Sequence, residues 1–214
     1  MFAFMSEEKT VVEGRGWALK WRVVTEGLGS TNMERYFGFA SSLSERKMHE
    51  RGAKFLSRNS AILPKFRLEF SSNWKDDGFG YANIVHDELS EVHGALYVCE
   101  KGTLASLDRE HIHEGNRFRR VIVQVQTKNG ETVNAVAYQA NKEFVNKQLK
   151  PSEAYLNEIL EGEDILPLEY AEFIRSFKDG KWTRLYTYRA PEYNSLYLVK
   201  DLERLLKFCD TKAR

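Results

Sequence analysis

The segment Phe118–Ala140, FRRVIVQVQTKNGETVNAVAYQA, carries the most definite structural signal in this chain. Two runs of largely alternating apolar and polar residues flank Lys128, Asn129 and Gly130. An Asn-Gly pair between two such runs favours a tight β-turn, because both residues tolerate a positive φ. The segment therefore predicts two antiparallel strands joined as a hairpin.

Strand patterns precede this hairpin. Lys65–Phe70 alternates as a strand does, and Glu91–Cys99 is typical of a buried strand in which Gly94 lets a neighbouring backbone approach closely. Helical patterns follow the hairpin instead of alternating with strands, so the order of elements predicts an α+β fold.

Two prolines begin the helical segments. The segment after Pro151 has apolar residues at helical spacing, and Tyr155 stands beside that apolar face, where core packing and contact with a ligand are both open to it. Pro167 begins a second helix, whose buried side we expect to include Leu168 and Phe173.

Length and charge restrict the class of protein. The 214 residues suit one domain with extensions, and 42% hydrophobic residues can form a sizeable core. The net charge of +1 favours neither nucleic acid nor an acidic membrane surface as a partner. Polar residues interrupt the apolar N-terminus well short of a signal peptide or membrane span, so we expect a cytoplasmic protein. Its two cysteines, Cys99 and Cys209, are interpreted as structural thiols.

Several standard sites are missing from the sequence. It has no phosphate-binding P-loop, no dinucleotide fingerprint, no His-Glu-x-x-His helix and no Gly-x-Ser-x-Gly elbow. His111 and His113 form a close histidine pair without a third ligand at helical spacing. We therefore expect neither a metal nor a cofactor.

A turn between a strand and a helix is the first chemical candidate. The β-prone run Tyr36–Phe39 breaks at Ala40, Ser41 and Ser42, and Ser44 is suited to cap a short helix. The first N–H groups of a helix have no intrahelical acceptor, so such a turn can bind a carboxylate or an oxyanion.

This turn and three later motifs together resemble the γ-glutamylcyclotransferase family. YFGFASSLSER, residues 36–46, is similar to the family's Tyr-Phe-Ala-Tyr-Gly-Ser-Asn-Leu motif, and KFRLEF to its following strand. Residues 91–108 resemble the strand that leads to the family's Leu-Asp, and residues 151–170 its Pro-x-x-x-Tyr helix ending in Leu-Pro-x-x-Tyr. The resemblance covers residues 35–177 in order and implies a small mixed β-barrel with flanking helices.

The resemblance implies a reaction without a cofactor. In this family the α-amine of a γ-glutamyl substrate attacks its own γ-carbonyl, which forms 5-oxoproline and releases an amino acid or amine. The enzyme then needs only to orient a small-molecule substrate, accept a proton and stabilise an oxyanion. By the same resemblance, the substrate is bound by Tyr36, Phe37, Gly38, Phe39, Ala40, Ser41, Ser42, Leu43 and Tyr155.

The catalytic base is harder to assign. The family carries Leu-Asp-x-x-Glu-Gly, but His111 stands in the glutamate position after Asp108. Glu114 with Gly115 keeps the Glu-Gly pair after a three-residue insertion, whereas Glu110 requires a shift of one residue. We favour Glu114, with Glu110 second. The alternative is a segment that has lost its base.

Other departures concern the turn. Phe39 lacks the hydroxyl of the family's tyrosine, Ser42 replaces an asparagine, and Ala40 replaces a glycine, so we expect Ala40 to hold a conformation that glycine reaches at lower cost. These changes leave open a catalytically inactive binding or regulatory protein of the same fold.

The segments outside the resemblance define the domain prediction. We expect residues 1–34 to form an N-terminal arm, residues 35–177 the core, and residues 178–214 a C-terminal extension packed on that core. Their roles, including that of a contact in a homodimer, are left open.

Overall fold

The computed structural model describes residues 33–113 and 115–178, together with two short segments, Met5–Ser6 and Arg22–Val23. The chain divides into two compact units, residues 1–32 and 33–214. In the first unit the two short segments pair as antiparallel strands. Nearly all of the expected extension 178–214 lies outside the described residues, so the domain limits stay a prediction. The cytoplasmic location and the homodimer also stay predictions.

Five strands of the second unit close into a barrel in the order β1, β3, β2, β4, β5. Strand β5 returns to β1 in parallel, with Tyr36 opposite Val136, while the other neighbours are antiparallel. The predicted α+β fold with a small mixed barrel is confirmed. The strands are β1 (Met33–Gly38), β2 (Phe55–Ser72), β3 (Tyr81–Glu100), β4 (Phe118–Thr127) and β5 (Thr132–Ala140).

The predicted hairpin forms β4 and β5. The pairing runs from Phe118 opposite Ala140 to Gln126 opposite Thr132, and Gly130 takes φ 80° in the connecting turn. The Lys65–Phe70 strand is also confirmed, but it is part of a longer strand. In β2 the register shifts between Pro64 and Phe66, and Lys65 takes φ 62° there, a bulge that bends the strand.

In the part of the chain that the structure describes, four α-helices flank the barrel. Ser44 and Ser152 cap the first and third by accepting a hydrogen bond from the third residue along the chain. The expected burial of Leu168 is wrong: it is 69% exposed, because the last helix packs through Tyr170 and Ile174. The helices are α1 (Glu45–Glu50), α2 (Thr103–Asp108), α3 (Glu153–Leu160) and α4 (Leu168–Ser176), and a π-helical turn, Arg109–His113, continues α2.

Three glycines let the backbone crowd around the turn after β1. A Cβ at Gly38 would lie 2.8 Å from the Cβ of Ser42, and one at Gly94 would lie 2.6 Å from the Gly38 oxygen. A Cβ at Gly162, just after α3, would lie 2.4 Å from the Leu43 carbonyl carbon. Because these three positions lack a side chain, the turn can pack closely against β3 and the end of α3.

Among the described residues, no helix is long and apolar enough to cross a membrane.

Candidate active site

An inner chamber of about 40 Å³ lies beside the turn after β1 and is bordered by an outer cavity of about 460 Å³. Arg51, Trp74, Tyr81 and Tyr155 line both and form the boundary between them. The inner chamber is further lined by Tyr36, Phe39, Ala40, Ser41, Ser42, Ala82, His111, Phe118 and Tyr138. The outer cavity is further lined by Lys47, Glu50, Lys75, Ser106, Arg109, Glu110 and Glu158.

Ser42 is the centre of the hydrogen bonds that hold the turn. Its Oγ accepts from the Tyr36 hydroxyl at 2.9 Å and from Arg51 Nη1 at 3.1 Å, and its carbonyl oxygen accepts from the Tyr97 hydroxyl at 2.8 Å. Burial raises the pKa of Tyr36 to about 12, so this phenol keeps its proton. Because Ser42 Oγ accepts twice, its own proton is available for a ligand.

Arg51 ties the turn to the acidic segment, residues 108–114, which contains Asp108, Glu110 and Glu114. Its Nη2 donates to Ser41 Oγ at 3.0 Å and to Glu110 Oε1 at 3.3 Å, and its Nε pairs with the other Glu110 oxygen. Burial acts to lower the pKa of Arg51, but the charge and hydrogen bonds of Glu110 outweigh it and raise that pKa. Sequence reasoning missed Arg51, whose only local signal is its place at the end of α1 before Gly52, at φ 74°.

Tyr155 packs in the core and also lines both cavities, and its contact with a ligand stays a prediction. Its ring packs against Tyr81 with centroids 4.8 Å apart, and the same residue lines both cavities. Burial raises its pKa, and its hydroxyl oxygen accepts from the Ala82 N–H at 3.3 Å. The hydroxyl proton is therefore free to be donated to a ligand.

The acidic segment occupies the π-helical turn after α2. A π turn holds one more residue than an α turn, which changes the direction of the residues that follow it. Glu110 lines the outer cavity and His111 lines the inner chamber. Glu114, the favoured base, lies outside the described residues.

Asp108 anchors this turn to the barrel. Its carboxylate accepts from Arg120 Nε at 2.8 Å and Nη2 at 2.6 Å, and from the Tyr138 hydroxyl at 2.7 Å. Since Arg120 and Tyr138 lie on β4 and β5, the predicted hairpin fixes the position of the acidic segment.

His111 is a functional candidate that was not among the site residues predicted from the sequence. Its ring lies among Tyr138, Phe118 and Trp74, with centroid distances of 4.4, 5.6 and 6.1 Å. Its buried Nδ1 has no hydrogen-bond partner among the described residues. Burial, assisted by the Arg51 charge, lowers the pKa of His111 to about 4, so the ring is neutral at pH 7.

The other predicted residues have different positions. Phe37 and Leu43 are fully buried beneath the turn, and Gly38 lies against Ser42. Ala40 takes φ −137° and ψ −130°, so its φ is not left-handed, and the lower cost expected for glycine at this position stays a prediction.

Cys99 is buried in β3. Burial raises its pKa to about 12, which keeps the sulfur as an unreactive thiol. This agrees with its interpretation as a structural residue.

Comparison with known proteins connects this geometry to a family. Residues 91–174 match the AIG2-like family. The bovine γ-glutamylcyclotransferase is 28% identical over 156 residues, which cover 69% of this chain and 80% of that protein. A solved γ-glutamyl cyclotransferase is 25% identical with a TM-score of 0.61, covering 77% of this chain and 97% of its own. The chain has the γ-glutamylcyclotransferase fold.

A more distant structure extends the comparison of the fold alone. The yeast γ-glutamyl cyclotransferase specific to glutathione is 12% identical, with a TM-score of 0.52 and coverage of 70% of this chain and 96% of its own. The resemblance inferred from four short motifs is thus confirmed over a γ-glutamylcyclotransferase-like core.

Proposed function

We propose that this protein cyclises the γ-glutamyl group of a γ-glutamyl amino acid or amine to 5-oxoproline and releases the amino acid or amine. One observation carries the proposal: Arg51 joins Ser41, Ser42 and Glu110 in one network at the boundary between the two cavities. Two serine hydroxyls and one carboxylate therefore converge at the place where a substrate would span the two cavities.

The γ-carbonyl and the attacking amine would lie at the inner chamber, and the rest of the substrate, including the leaving group, would lie in the larger outer cavity. Cyclisation converts the γ-carbonyl oxygen into an oxyanion, which needs donors already in place. Ser42 Oγ and the hydroxyl of Tyr155 each keep a proton to donate, and the first N–H groups of the turn add backbone donors.

Because the attack is intramolecular, the protein does not have to supply a nucleophile. The substrate's own amine is held near its γ-carbonyl, so a compact chamber can contribute much of the rate through orientation. A proton acceptor is still required, and the segment that contains Glu110 and Glu114 is its expected source. Which residue accepts the proton does not alter the overall reaction.

The test is direct detection of 5-oxoproline by mass spectrometry. The purified full chain is incubated with γ-glutamyl-alanine, other γ-glutamyl dipeptides and γ-glutamyl-lysine, and we expect 5-oxoproline from at least one of them. Arg51→Met should lower kcat/KM by about 100-fold or more, since losing one oxyanion donor costs about that much and this change disturbs two serines at once.

Arg46→Met is the matched control. Arg46 lies on α1, and its ion pairs with Glu50 and Glu161 are exposed. It should keep kcat/KM close to the wild-type value. A folded wild-type protein that forms no 5-oxoproline from any substrate would contradict the proposal and support the inactive binding protein instead.

A further inference from the structure

One titratable side chain of the inner chamber has a ring nitrogen without a hydrogen-bond partner among the described residues. The Nδ1 of His111 is buried without a hydrogen-bond partner among the residues that the structure describes. His111 lines the chamber together with Ser42 and Tyr155, the two hydroxyl donors of the proposed oxyanion site. A buried polar atom without a partner is costly, and this one belongs to a residue that lines the chamber, so it points to a ligand that supplies the missing hydrogen bond.

Glu110 is placed differently. It lines the outer cavity, and both of its carboxylate oxygens bond to Arg51. To act as a base it would have to give up this ion pair, which would leave a mostly buried guanidinium without its anion. Of the two, His111 is therefore the residue that lines the inner chamber and has an unpaired nitrogen.

We propose that His111 accepts the α-ammonium proton of the substrate through Nδ1 and later returns it to the leaving nitrogen. This inference rests on the function proposed above and names the proton carrier of the same site. The aromatic rings of Tyr138, Phe118 and Trp74 surround the imidazole, and the proposed role requires the proton of the neutral ring to reside on Nε2.

The charge balance inside the chamber does not oppose proton transfer to an imidazole. The charged groups that act on it are Arg51, Asp108 and Glu110, and the phenol of Tyr138 faces it from β5. Moving a proton from an ammonium to an imidazole exchanges one cation for another, so burial disfavours both states alike. The remaining gap is roughly the difference between the pKa values of the two groups in water, where an α-amine beside its own carboxylate holds the proton more tightly than histidine does.

The protons balance over the whole reaction. The attacking nitrogen begins as an ammonium with three protons and ends as a lactam N–H with one. The leaving nitrogen begins as an amide N–H and ends as an ammonium, so it gains the two protons that the attacking nitrogen loses. The new carbon–nitrogen bond forms before the old one breaks, and His111 carries the protons one at a time and ends neutral.

Substitutions that mimic one ring nitrogen test the proposal. The amide oxygen of His111→Asn stands near the position of Nδ1, so it can accept a hydrogen bond but cannot take the proton. We expect kcat for γ-glutamyl-alanine to fall by about 100-fold or more, because general acid–base catalysis contributes at least that much, while KM changes less than about threefold. His111→Gln places its oxygen near Nε2 instead and should raise KM as well.

His111→Glu is the rescue variant, since it restores a group that can take a proton. It should recover at least about tenfold in kcat over His111→Asn. His86→Asn is the matched control, because it removes an imidazole that is 61% exposed on β3 and should leave both constants unchanged. Circular dichroism and thermal unfolding confirm that each variant is folded.

Each outcome decides between the assignments. Active wild-type protein with an equally active His111→Asn variant overturns this inference alone and returns the role to Glu110 or Glu114. A folded His111→Glu variant no more active than His111→Asn also overturns it, since the ring would then be structural. Wild-type protein that yields no 5-oxoproline from any substrate overturns the proposed function and this inference together.

Discussion

Ser42 and Tyr155 show how single residues prepare the inner chamber. Ser42 Oγ accepts two hydrogen bonds and the Tyr155 oxygen accepts one from the Ala82 N–H, so each oxygen is fixed in place and each proton stays available. Donors that are already oriented stabilise a developing oxyanion without reorganisation. Phe39 adds an apolar wall at the position where a tyrosine was expected from the resemblance.

The buried ring of His111 makes the stability of the protein depend on pH. Its pKa is about 4 in the folded state against 6.5 for an unperturbed histidine, so between these values the unfolded chain binds the extra proton. Stability is therefore lost as the pH falls from 6.5 towards 4. Urea unfolding at pH 7 and pH 5 measures how far the free energy of unfolding falls between these pH values. We expect this fall to be about 2 kcal/mol smaller in His111→Asn than in the wild type, since one pKa unit is worth about 1.4 kcal/mol.

His86→Asn is the control for this measurement. It removes an exposed imidazole and should keep the wild-type difference between pH 7 and pH 5. If His111→Asn loses as much stability as the wild type over this interval, the ring is not held neutral by burial.

At the scale of elements, the position of the candidate site depends on a crossing of β1, β3 and the end of α3. Gly38, Gly94 and Gly162 have no Cβ, and neighbouring backbone or ring atoms lie where a Cβ would be. The turn between β1 and α1 is thus held from two sides. On a third side Arg51, at the end of α1, binds Ser41 and Ser42.

Gly162→Ala should displace this turn. Its φ of −102° is accessible to alanine, so the cost is the overlap of the new Cβ with the carbonyl group of Leu43, 2.4 to 2.5 Å away. We expect a loss of about 1 to 3 kcal/mol in the free energy of unfolding, as for other overpacked sites. We also expect at least about a tenfold drop in kcat/KM for 5-oxoproline formation, because a small displacement of aligned groups is costly.

Gly130→Ala is the control that separates the loss of stability from the loss of activity. Gly130 has φ 80°, and a Cβ added there would have no atom within 4 Å, so alanine costs roughly 1 kcal/mol in backbone strain far from the chamber. Its kcat/KM should equal that of the wild type. A Gly162→Ala variant with wild-type stability and activity would show that the turn can shift without consequence.

Local features of the sequence were sufficient for the elements but not for their assembly. The β4–β5 hairpin, the Ser44 cap and the turn after β1 depend on neighbouring residues, so their patterns could be recognised. The bond between Arg51 and Glu110 joins residues 59 positions apart, and no local pattern encodes it. The prediction that Leu168 is buried was wrong, because a nine-residue helix with apolar residues on several sides does not define which side faces the core.

At the scale of the whole molecule, a net charge of +1 conceals a charged outer cavity. Lys47 forms an ion pair with Glu158 at 3.1 Å, and Arg51 forms one with Glu110. Lys75 instead lies over the rings of Trp74 and Tyr81, at 4.9 and 5.5 Å from their centroids. Arg109 donates to Ser106 Oγ at 3.1 Å. Two cations of the outer cavity thus contact neutral groups.

This distribution of charge predicts a preference among leaving groups. If the leaving group occupies the outer cavity, its carboxylate can reach Lys75 or Arg109, so an amino acid should be favoured over an amine. γ-Glutamyl-alanine and γ-glutamyl-alaninamide differ only in that carboxylate. We expect kcat/KM to be about fivefold higher for the acid, because an exposed ion pair is worth up to about 1 kcal/mol.

Lys75→Gln should bring this ratio towards one while leaving the alaninamide substrate nearly unaffected, because the variant removes a charge that only the carboxylate uses. Lys65→Gln, which removes a 63% exposed lysine of β2 from its ion pair with Glu88, should keep the wild-type ratio. Raising the salt concentration should also reduce the ratio, since exposed charges are screened over about 10 Å at 0.1 M. Equal rates for the two substrates at low salt would mean that the leaving group binds elsewhere, and that the charges of the outer cavity serve the fold.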